Sequence, residues 1–458
     1  MFAAISLYNR AIILSHGHGQ RERVGEETMK RILLCLLALS QLPEVRGDEL
    51  QAGAASVDIT PPTGYAMWGY AARKDQPNLG VRDRLRARAL VLAAGDKRIA
   101  LVSLDLGRAP TRASMAAIRQ RVKSAGIDHL FLVASHTHHG PVLELDNWPS
   151  EKKSYVRQLE QKLAEVILRA AKAVKPARLG IASKQTTLNR NLHSKRDDAP
   201  VDRELLVLRV EDRDGKAIAH AVNFAAHPTL RDIRERKFSA DYPGVLADVV
   251  EKETKAPCLF LQGAAGDLSA KVNGGGGADK FGQELAREVL ALAKGIRCTA
   301  RRAGGVNPLL LEVREEDFTF KPRLNLSNPL VRLTLNQAFF PELIAFYERE
   351  YREGVRPHLT AALLDGRIGF VGVSGEFFCG HALSLKRRAR LEHLFFLGYC
   401  NDYQQYFPTI EAASEGGYGT VPPVSSAAIG AGERVMDRAL IHLYQMRGQL
   451  LDRPVGKK

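Results

Sequence analysis

The sequence predicts an α/β fold in which mixed β-sheets are flanked by helices and the active site lies at the strand ends. Short apolar runs alternate with segments of helical periodicity along the chain. Some runs are separated only by a turn, such as Asp365-Gly366, which indicates antiparallel pairs within the sheets. Five apolar runs end in histidines, carboxylates or tyrosines. The chain is therefore predicted to form one large catalytic domain.

The strands are predicted from short apolar or alternating runs bounded by turn residues. The first is closed by Pro61-Pro62, and the hairpin late in the chain turns at Asp365-Gly366. The predicted strands are 56–60, 84–93, 98–105, 131–134, 177–187, 204–210, 217–226, 258–262, 309–320, 359–364, 367–373 and 395–398.

The helices are predicted from apolar spacing of three and four residues together with stop signals. Gly126 can cap the first helix, and Pro176 follows the second. The predicted helices are 111–124, 150–174, 241–251, 280–292 and 432–448.

Composition is that of a globular protein, with 45% apolar and 26% charged residues among 458. The formal net charge is +15, but most basic residues are interleaved with acids, which is typical of a solvated surface. Small basic clusters lie at 231–237 and 386–390, so peripheral contact with an anionic membrane surface is an alternative. The sequence lacks the zinc-finger spacing and the aromatic-plus-basic pattern of nucleic-acid binders, so no nucleic-acid partner is expected.

The N-terminal region has the layout of a secretory signal at 29–47, where a basic pair precedes about ten apolar residues. We expect Met29 to be the true start, residues 1–28 to be spurious, and the protein to be exported to the periplasm or secreted. The apolar run is too short to span a bilayer as a stable helix. A buried N-terminal helix is the alternative.

Four cysteines follow the predicted signal, namely Cys258, Cys298, Cys379 and Cys400. In an exported protein they could pair in three connectivities, and unpaired buried thiols are the equal alternative.

A histidine-rich segment at 131–141 carries the first chemical signal. Its apolar strand leads into His136, His138 and His139, and Gly140-Pro141 ends it. In an extended chain, residues two apart point to one face, so His136 and His138 are predicted to converge. Neutral imidazole is the commonest metal ligand in proteins. A polar loop without metal is the alternative.

Other strands end in groups that can complete such a site. His227 follows 217–226, Asp267 and Ser269 follow 258–262, and Glu376 follows 367–373. Two histidines with a carboxylate form a common catalytic zinc set with one open position for water. Asp241 and Asp267 are interpreted as groups that orient the histidines, with capping as the alternative.

The sequence resembles the neutral (alkaline) ceramidases, zinc amidases that cleave the N-acyl bond of ceramide. The resemblance covers about 53–447 and rests on an ordered series of motifs. These are 67–71 (MWGYA), 84–89 (RLRARA), 136–141 (HTHHGP), 189–190 (NR), 223–227 (NFAAH), 239–244 (SADYPG), 266–269 (GDLS), 375–377 (GEF), 401–406 (NDYQQY) and 416–420 (GGYGT).

The resemblance implies a Zn²⁺ ion held by His136, His227, Glu376 and Tyr406. Tyr406 is preferred to Tyr403 because its spacing to Tyr418 is that of the two active-site tyrosines in the family. The polar groups around the substrate amide would be His138, Arg190 and Tyr418. Ser269 matches a serine proposed as a nucleophile in the family, although its surroundings are not those of a nucleophile elbow.

The implied reaction is hydrolysis of ceramide or a related N-acyl lipid by a zinc-bound water. Two departures from the family pattern bear on the substrate. His139 stands where the family has serine, and the chain 48–458 is expected to form the hydrolase domain without the family's C-terminal immunoglobulin-like domain. Hydrolysis of a different amide or ester, and a catalytically silent binding protein of the same fold, are the alternatives.

Overall fold

The computed structural model describes residues 49–450 except 128, 148–149, 151–153, 273, 301–309 and 339. The predicted signal at 29–47 and residues 1–28 lie outside the described residues. The strands are β1 Gln51–Asp58, β2 Gly80–Val81, β3 Arg86–Ala94, β4 Lys97–Leu104, β5 His129–Ala134, β6 Lys175–Gln185, β7 Asn189–Asn191, β8 Glu204–Asp212, β9 Ala217–Phe224, β10 Lys237–Phe238, β11 Cys258–Gln262, β12 Leu268–Ala270, β13 Leu311–Asp317, β14 His358–Leu364, β15 Ile368–Val373, β16 Glu376–Phe377, β17 His393–Leu397 and β18 Tyr406–Phe407.

The α-helices alternate with these strands over the described part of the chain. They are α1 Arg112–Val122, α2 Tyr155–Lys172, α3 Asp241–Thr254, α4 Gly277–Gly295, α5 Pro329–Ala338, α6 Pro341–Glu350, α7 Cys379–Ala389, α8 Ile410–Glu415 and α9 Ala431–Met446. Among the described residues, no helix is both long and apolar enough to cross a bilayer.

The largest sheet has eight strands in the order β11-β9-β8-β6-β1-β3-β4-β5. Its two halves are joined weakly, because β1 and β6 pair over only two residue pairs. At the far ends of the sheet, the side chain of Gln262, the last residue of β11, donates to the Ser135 carbonyl just after β5. The two edge strands therefore come together, and the chain segments that follow them share one site.

A four-stranded sheet, β13-β14-β15-β17, packs against the inner faces of both halves. Phe370 and Phe395 from this sheet share one apolar core with Phe131 and Leu261 from the large sheet. Burial of such side chains is the main favourable term in folding, at roughly 25 cal/mol per Å². Helices cover the outer faces: α1 and α2 on one half, α3 and α4 on the other, and α7 and α9 on the small sheet.

The predicted fold class is confirmed, and each predicted strand and helix has a counterpart in the structure. The hairpin turn is formed by Asp365 and Gly366, both with positive φ (56° and 67°). The sequence analysis missed α5 to α8 and the short strands β2, β7, β10, β12, β16 and β18. Strands of two or three residues are too short to show a period. The four cysteines of the described chain are free.

The segment after β17 runs along the outer edge of β5, which no other strand of the large sheet covers. The Asn401 side chain accepts from the Leu132 N–H and donates to the Leu130 carbonyl, and its backbone N–H donates to the Leu132 carbonyl. Asn401 has φ of 59°, a left-handed conformation that asparagine tolerates better than most residues. These hydrogen bonds of Asn401 join the two sheets and fix the position of the tyrosine-rich segment 399–406.

Replacing Asn401 with alanine is expected to lower the free energy of unfolding by about 2–3 kcal/mol, because buried backbone groups of β5 lose their partners. Chemical denaturation measures this loss. Asn336→Ala, at an exposed position of α5, is the control and is expected to stay within about 0.5 kcal/mol of the parent. Equal stabilities of the two variants would contradict the role given to Asn401.

Candidate metal centre

Three strand ends deliver the central groups of the site. His136 follows β5, His227 follows β9, and Glu376 begins β16 just after β15. The Glu376 Oε2 atom lies 3.2 Å from His136 Nε2 and 3.0 Å from His227 Nε2. His136 and Glu376 are almost completely buried. The two histidines and the carboxylate predicted from the sequence are therefore in contact.

The second ring nitrogens determine which tautomer these histidines adopt. His136 Nδ1 lies 2.8 Å from the Gly107 carbonyl, and His227 Nδ1 lies 2.6 Å from the Ala265 carbonyl. A carbonyl can only accept, so each Nδ1 carries a proton and each neutral ring presents its Nε2 lone pair to Glu376. Two lone pairs that face a carboxylate repel it unless a cation, either a proton or a metal ion, lies between them.

The donor set fits a metal ion. A tetrahedral ion with bonds of ~2 Å to nitrogen and oxygen has donor–donor edges of about 3.3 Å, close to the separations found here. Burial would raise the pKa of Glu376, but the charges and hydrogen bonds of His136 and His227 hold it well below its usual range. For His227, burial opposes protonation, yet the hydrogen bond and charge of Glu376 raise its pKa. The electrostatics therefore favour a cation at this point.

Two further predicted residues border the centre. His138 Nε2 lies 3.3 Å from His136 Nε2, and the ligand atoms of His136, His138 and His227 all fall within 4.8 Å of one another, a group compatible with a metal site. The Tyr406 hydroxyl lies 3.5 Å from His227 Nε2. Tyr418 is exposed, and its ring centroid is 5.8 Å from that of Tyr406.

The convergence of His136 and His138 has a different cause from the predicted extended geometry. Strand β5 ends at Ala134, and His136 has φ of 69°. A non-glycine residue in this region is strained, and such strain is often found at functional sites. The left-handed turn brings the two imidazole rings to 5.0 Å between centroids.

Two tyrosines that the sequence analysis did not assign to the centre also contact it. Tyr403 donates its hydroxyl hydrogen to Glu376 Oε1, and the Tyr399 hydroxyl lies 3.4 Å from Oε2. The Tyr399 ring packs on His136 with 4.2 Å between centroids. The cluster of tyrosines in 399–406 was the available signal, but only the fold shows which hydroxyls reach Glu376.

A buried ion network supports the wall of the centre. Arg108 pairs with Glu144 at 3.2 Å and with Asp402 at 2.9 Å, and its guanidinium lies over the Tyr403 ring. Glu144 also accepts from Trp68 Nε1. The Trp68 ring in turn stands edge-on to His136, His138 and Tyr403. The network therefore fixes the aromatic surroundings of the metal centre.

The centre opens into a small cavity of about 110 Å³. Its apolar lining includes Val142, Phe340, Leu343 and Val424, whereas Lys74 and Tyr418 contribute polar groups. Tyr347 of α6 also lines this cavity and donates to Glu144. Helix α6, missed from the sequence, therefore adjoins the site.

The structure places two predicted catalytic residues differently. Arg190 is exposed on β7 and is not among the residues that line the cavity. Ser269 is buried, its backbone bridges His227, and its hydroxyl donates to the Ala270 carbonyl. Ser269 thus contacts the centre through its main chain, and Arg190 lies opposite it in the β7–β12 pairing.

The prediction that Asp241 and Asp267 orient the histidines is wrong. The backbone carbonyls of Gly107 and Ala265 orient the histidine rings instead. Asp241 accepts from the backbone N–H groups of Leu230 and Arg231 and so fixes the loop after His227. Asp267 accepts from the backbone N–H of Cys379 and from Asn191. Both carboxylates satisfy buried backbone groups, a need that sequence spacing does not reveal.

His139, the departure from the family pattern, points away from the cavity. Its Nε2 lies 2.7 Å from Arg73 Nη2. Arg73 is buried and also donates to the His138 carbonyl. Burial, with a smaller contribution from the Arg73 charge, lowers the pKa of His139 to about 4. The same Nε2 lies 3.1 Å from the Asp232 carbonyl, but the shorter contact with Arg73, which can only donate, places the lone pair of a neutral His139 on this nitrogen. His139 thereby anchors residues 69–74 to the histidine loop.

The family model for neutral/alkaline non-lysosomal ceramidase, N-terminal, matches residues 50–288, which is more than half of the chain. The chain belongs to this family. The matched region contains His136, His138 and His227, whereas Glu376 and Tyr406 lie beyond it. The fold is what brings these two groups of residues together.

Related proteins agree with this assignment. Neutral ceramidases B and A of Dictyostelium discoideum are each 25% identical to the chain, over 259 and 260 residues; both matches cover 49% of this chain and 36% of the relative. The match thus spans about a third of the length of these relatives. The crystal structure of neutral ceramidase from Pseudomonas aeruginosa superposes with a TM-score of 0.72 at 19% identity, covering 90% of this chain and 76% of that one. A ceramidase complexed with C2 gives 0.70 at 18% identity, with 90% and 77% covered.

Acid is expected to break the contact between His139 and Arg73. The pKa of His139 is about 4 in the folded chain and about 6.5 in an unfolded one, so its stabilising effect is complete above pH 6.5 and is lost as pH falls towards 4. The loss is up to about 3 kcal/mol. Denaturation of the parent and of His139→Gln across this pH range measures it.

The glutamine variant keeps an acceptor for Arg73 but does not titrate, so the parent should lose more stability than the variant as pH falls. His139→Ser, which lacks the ring altogether, serves as the control and should resemble the glutamine variant in its pH dependence. Parallel profiles for the parent and both variants would contradict this account.

Proposed function

We propose that the protein is a zinc-dependent hydrolase that cleaves the N-acyl amide bond of ceramide or a related N-acyl lipid. The observation that carries the proposal is the pair of Nε2 lone pairs, from His136 and His227, that converge on the buried Glu376 carboxylate. Membership of the ceramidase family supports amide hydrolysis as the reaction. The named relatives support ceramide as the first substrate to test.

His136, His227 and Glu376 would hold the ion, with Tyr406 as the fourth ligand. When bound, zinc supplies a Lewis acid that activates water at neutral pH. Tyr403 holds the Glu376 carboxylate through its other oxygen, which fixes the direction in which Oε2 points. The carbonyls of Gly107 and Ala265 hold the two imidazole rings, and such partners keep ligands in a single tautomer.

The remaining chemistry is assigned to side chains at the cavity. His138 lines it, and its Nδ1 is buried without a hydrogen-bond partner among the described residues. We assign His138 to proton transfer to the departing amine. Tyr418, at the mouth, can donate to the oxygen of the scissile carbonyl as negative charge develops there. Ser269 is assigned a positioning role through its backbone contact with His227.

A lipid substrate would be drawn from a membrane surface or a micelle. Helix α5 exposes Leu330 and Leu333 to solvent (74% and 64%), and Phe340 and Leu343, which follow it in the chain, line the cavity. The net charge of +15 favours anionic surfaces. We therefore propose peripheral membrane contact through the exposed face of α5.

The purified protein is expected to contain one zinc ion per chain and to release fatty acid from N-acyl-sphingosine. His136→Ala should lose the metal and reduce hydrolysis by more than about 100-fold, since loss of outer partners alone costs metal sites 10–100-fold. Elemental analysis and a fatty-acid release assay measure both effects. His393→Ala, a half-buried histidine at the start of β17, is the matched control and should retain both.

The outcomes separate the parts of the proposal. Stoichiometric zinc without turnover of N-acyl-sphingosine would reject the ceramide substrate but keep a metal hydrolase. Unchanged metal content and activity in His136→Ala would reject the metal centre itself.

A further inference from the structure

Residues 69–74, far from the histidine loop in the sequence, pack against that loop in the fold. The Tyr70 ring lies 4.7 Å from that of His138, and the Arg73 guanidinium lies over Tyr70. Arg73 also donates to the carbonyls of His138 and Ile233. These contacts fix the position of the next residue, Lys74, relative to His138.

Lys74 has two unusual properties. Its backbone has φ of 50° and ψ of −130°, a conformation that costs a non-glycine residue free energy and that is enriched at ligand-binding sites. Lys74 is exposed and belongs to the lining of the cavity, and it makes no ion pair with any residue within the described part of 49–450. A strained turn thus places a solvent-exposed cation, without a protein counterion among the described residues, at the rim of the cavity.

The carboxylates that line the same cavity do not neutralise Lys74. Glu144 pairs with Arg108 and accepts from Trp68 and Tyr347. Glu376 is held by the histidines and Tyr403. The lining therefore carries one positive charge whose partner must come from solvent or from a ligand.

We propose that Lys74 selects N-acyl lipids whose amine half carries an anionic group, either a carboxylate or a phosphate. This inference rests on the proposed function, because it assigns His138 to the departing amine. Lys74 adjoins Arg73, which donates to the His138 carbonyl, and Lys74 and His138 line the same cavity, so we assign Lys74 to the amine half. The apolar residues Val142, Phe340 and Leu343 remain to receive the acyl chain. A charge-assisted contact of this kind distinguishes anionic from neutral substrates.

Two matched pairs of substrates test the proposal. N-lauroyl-glycine is compared with N-lauroyl-ethanolamine, and N-lauroyl-sphingosine 1-phosphate with N-lauroyl-sphingosine. In one or both pairs the parent should favour the anionic member by at least about tenfold in kcat/KM. The pair that shows the preference identifies carboxylate or phosphate as the anion. The ratio should fall to about one in Lys74→Met and invert in Lys74→Glu.

Lys294→Met is the control, because Lys294 is an exposed lysine of α4 that does not line the cavity. It should keep the ratio of the parent. Thermal unfolding of every variant checks that the fold is retained. A parent that hydrolyses these lipids with no anionic preference, or a Lys74→Met variant that keeps the preference, would overturn the inference while leaving the proposed function intact.

Binding of the same lipids, measured by calorimetry, separates the two hypotheses if hydrolysis fails. A parent that hydrolyses none of them but binds the anionic members more tightly, in a manner lost in Lys74→Met, would reject the proposed reaction and support the Lys74 site. Absence of both hydrolysis and selective binding would overturn the inference as well as the reaction.

Discussion

The buried carboxylate of Glu376 constrains the rest of the structure. An ionised carboxylate removed from water costs several kcal/mol unless charges and hydrogen bonds compensate it. Here it faces the Nε2 atoms of two histidines on one side and receives a tyrosine hydroxyl on the other. The site is therefore arranged to concentrate positive charge at one point, a property compatible with a metal site.

The fold meets this constraint by joining distant parts of the chain. Because the eight-stranded sheet is weakly joined at β1 and β6, its edge strands β5 and β11 approach each other. The small sheet then supplies Glu376, and the segment after it supplies Tyr399 and Tyr403. Positive φ values at His136 and Tyr399 show that the connecting turns are strained. Packing of the two sheets compensates this strain, so the stability of the core and the geometry of the site are coupled.

Local patterns predicted the fold class and placed several polar groups beyond the strand ends, and the resemblance to the family selected His136, His227 and Glu376 among them. Apolar runs mark the strands. His227 follows its run directly, whereas one residue precedes His136 and two precede Glu376 after their runs. The shortest elements were missed because two or three residues in a strand have no measurable period. Helices α5 and α6 were also missed, although α6 contributes Leu343 and Tyr347 to the lining of the cavity. The roles of Asp241, Arg73 and Glu144 depend on partners far along the chain, which spacing cannot reveal.

The position of the metal ion tests the account most directly. A crystal structure of the zinc-loaded protein, with anomalous diffraction recorded on both sides of the zinc absorption edge, locates the ion independently of activity. The account predicts one anomalous peak at ~2.0–2.2 Å from His136 Nε2, His227 Nε2 and a Glu376 oxygen. A peak bound elsewhere, or these three side chains in place with no ion in saturating zinc, would contradict it.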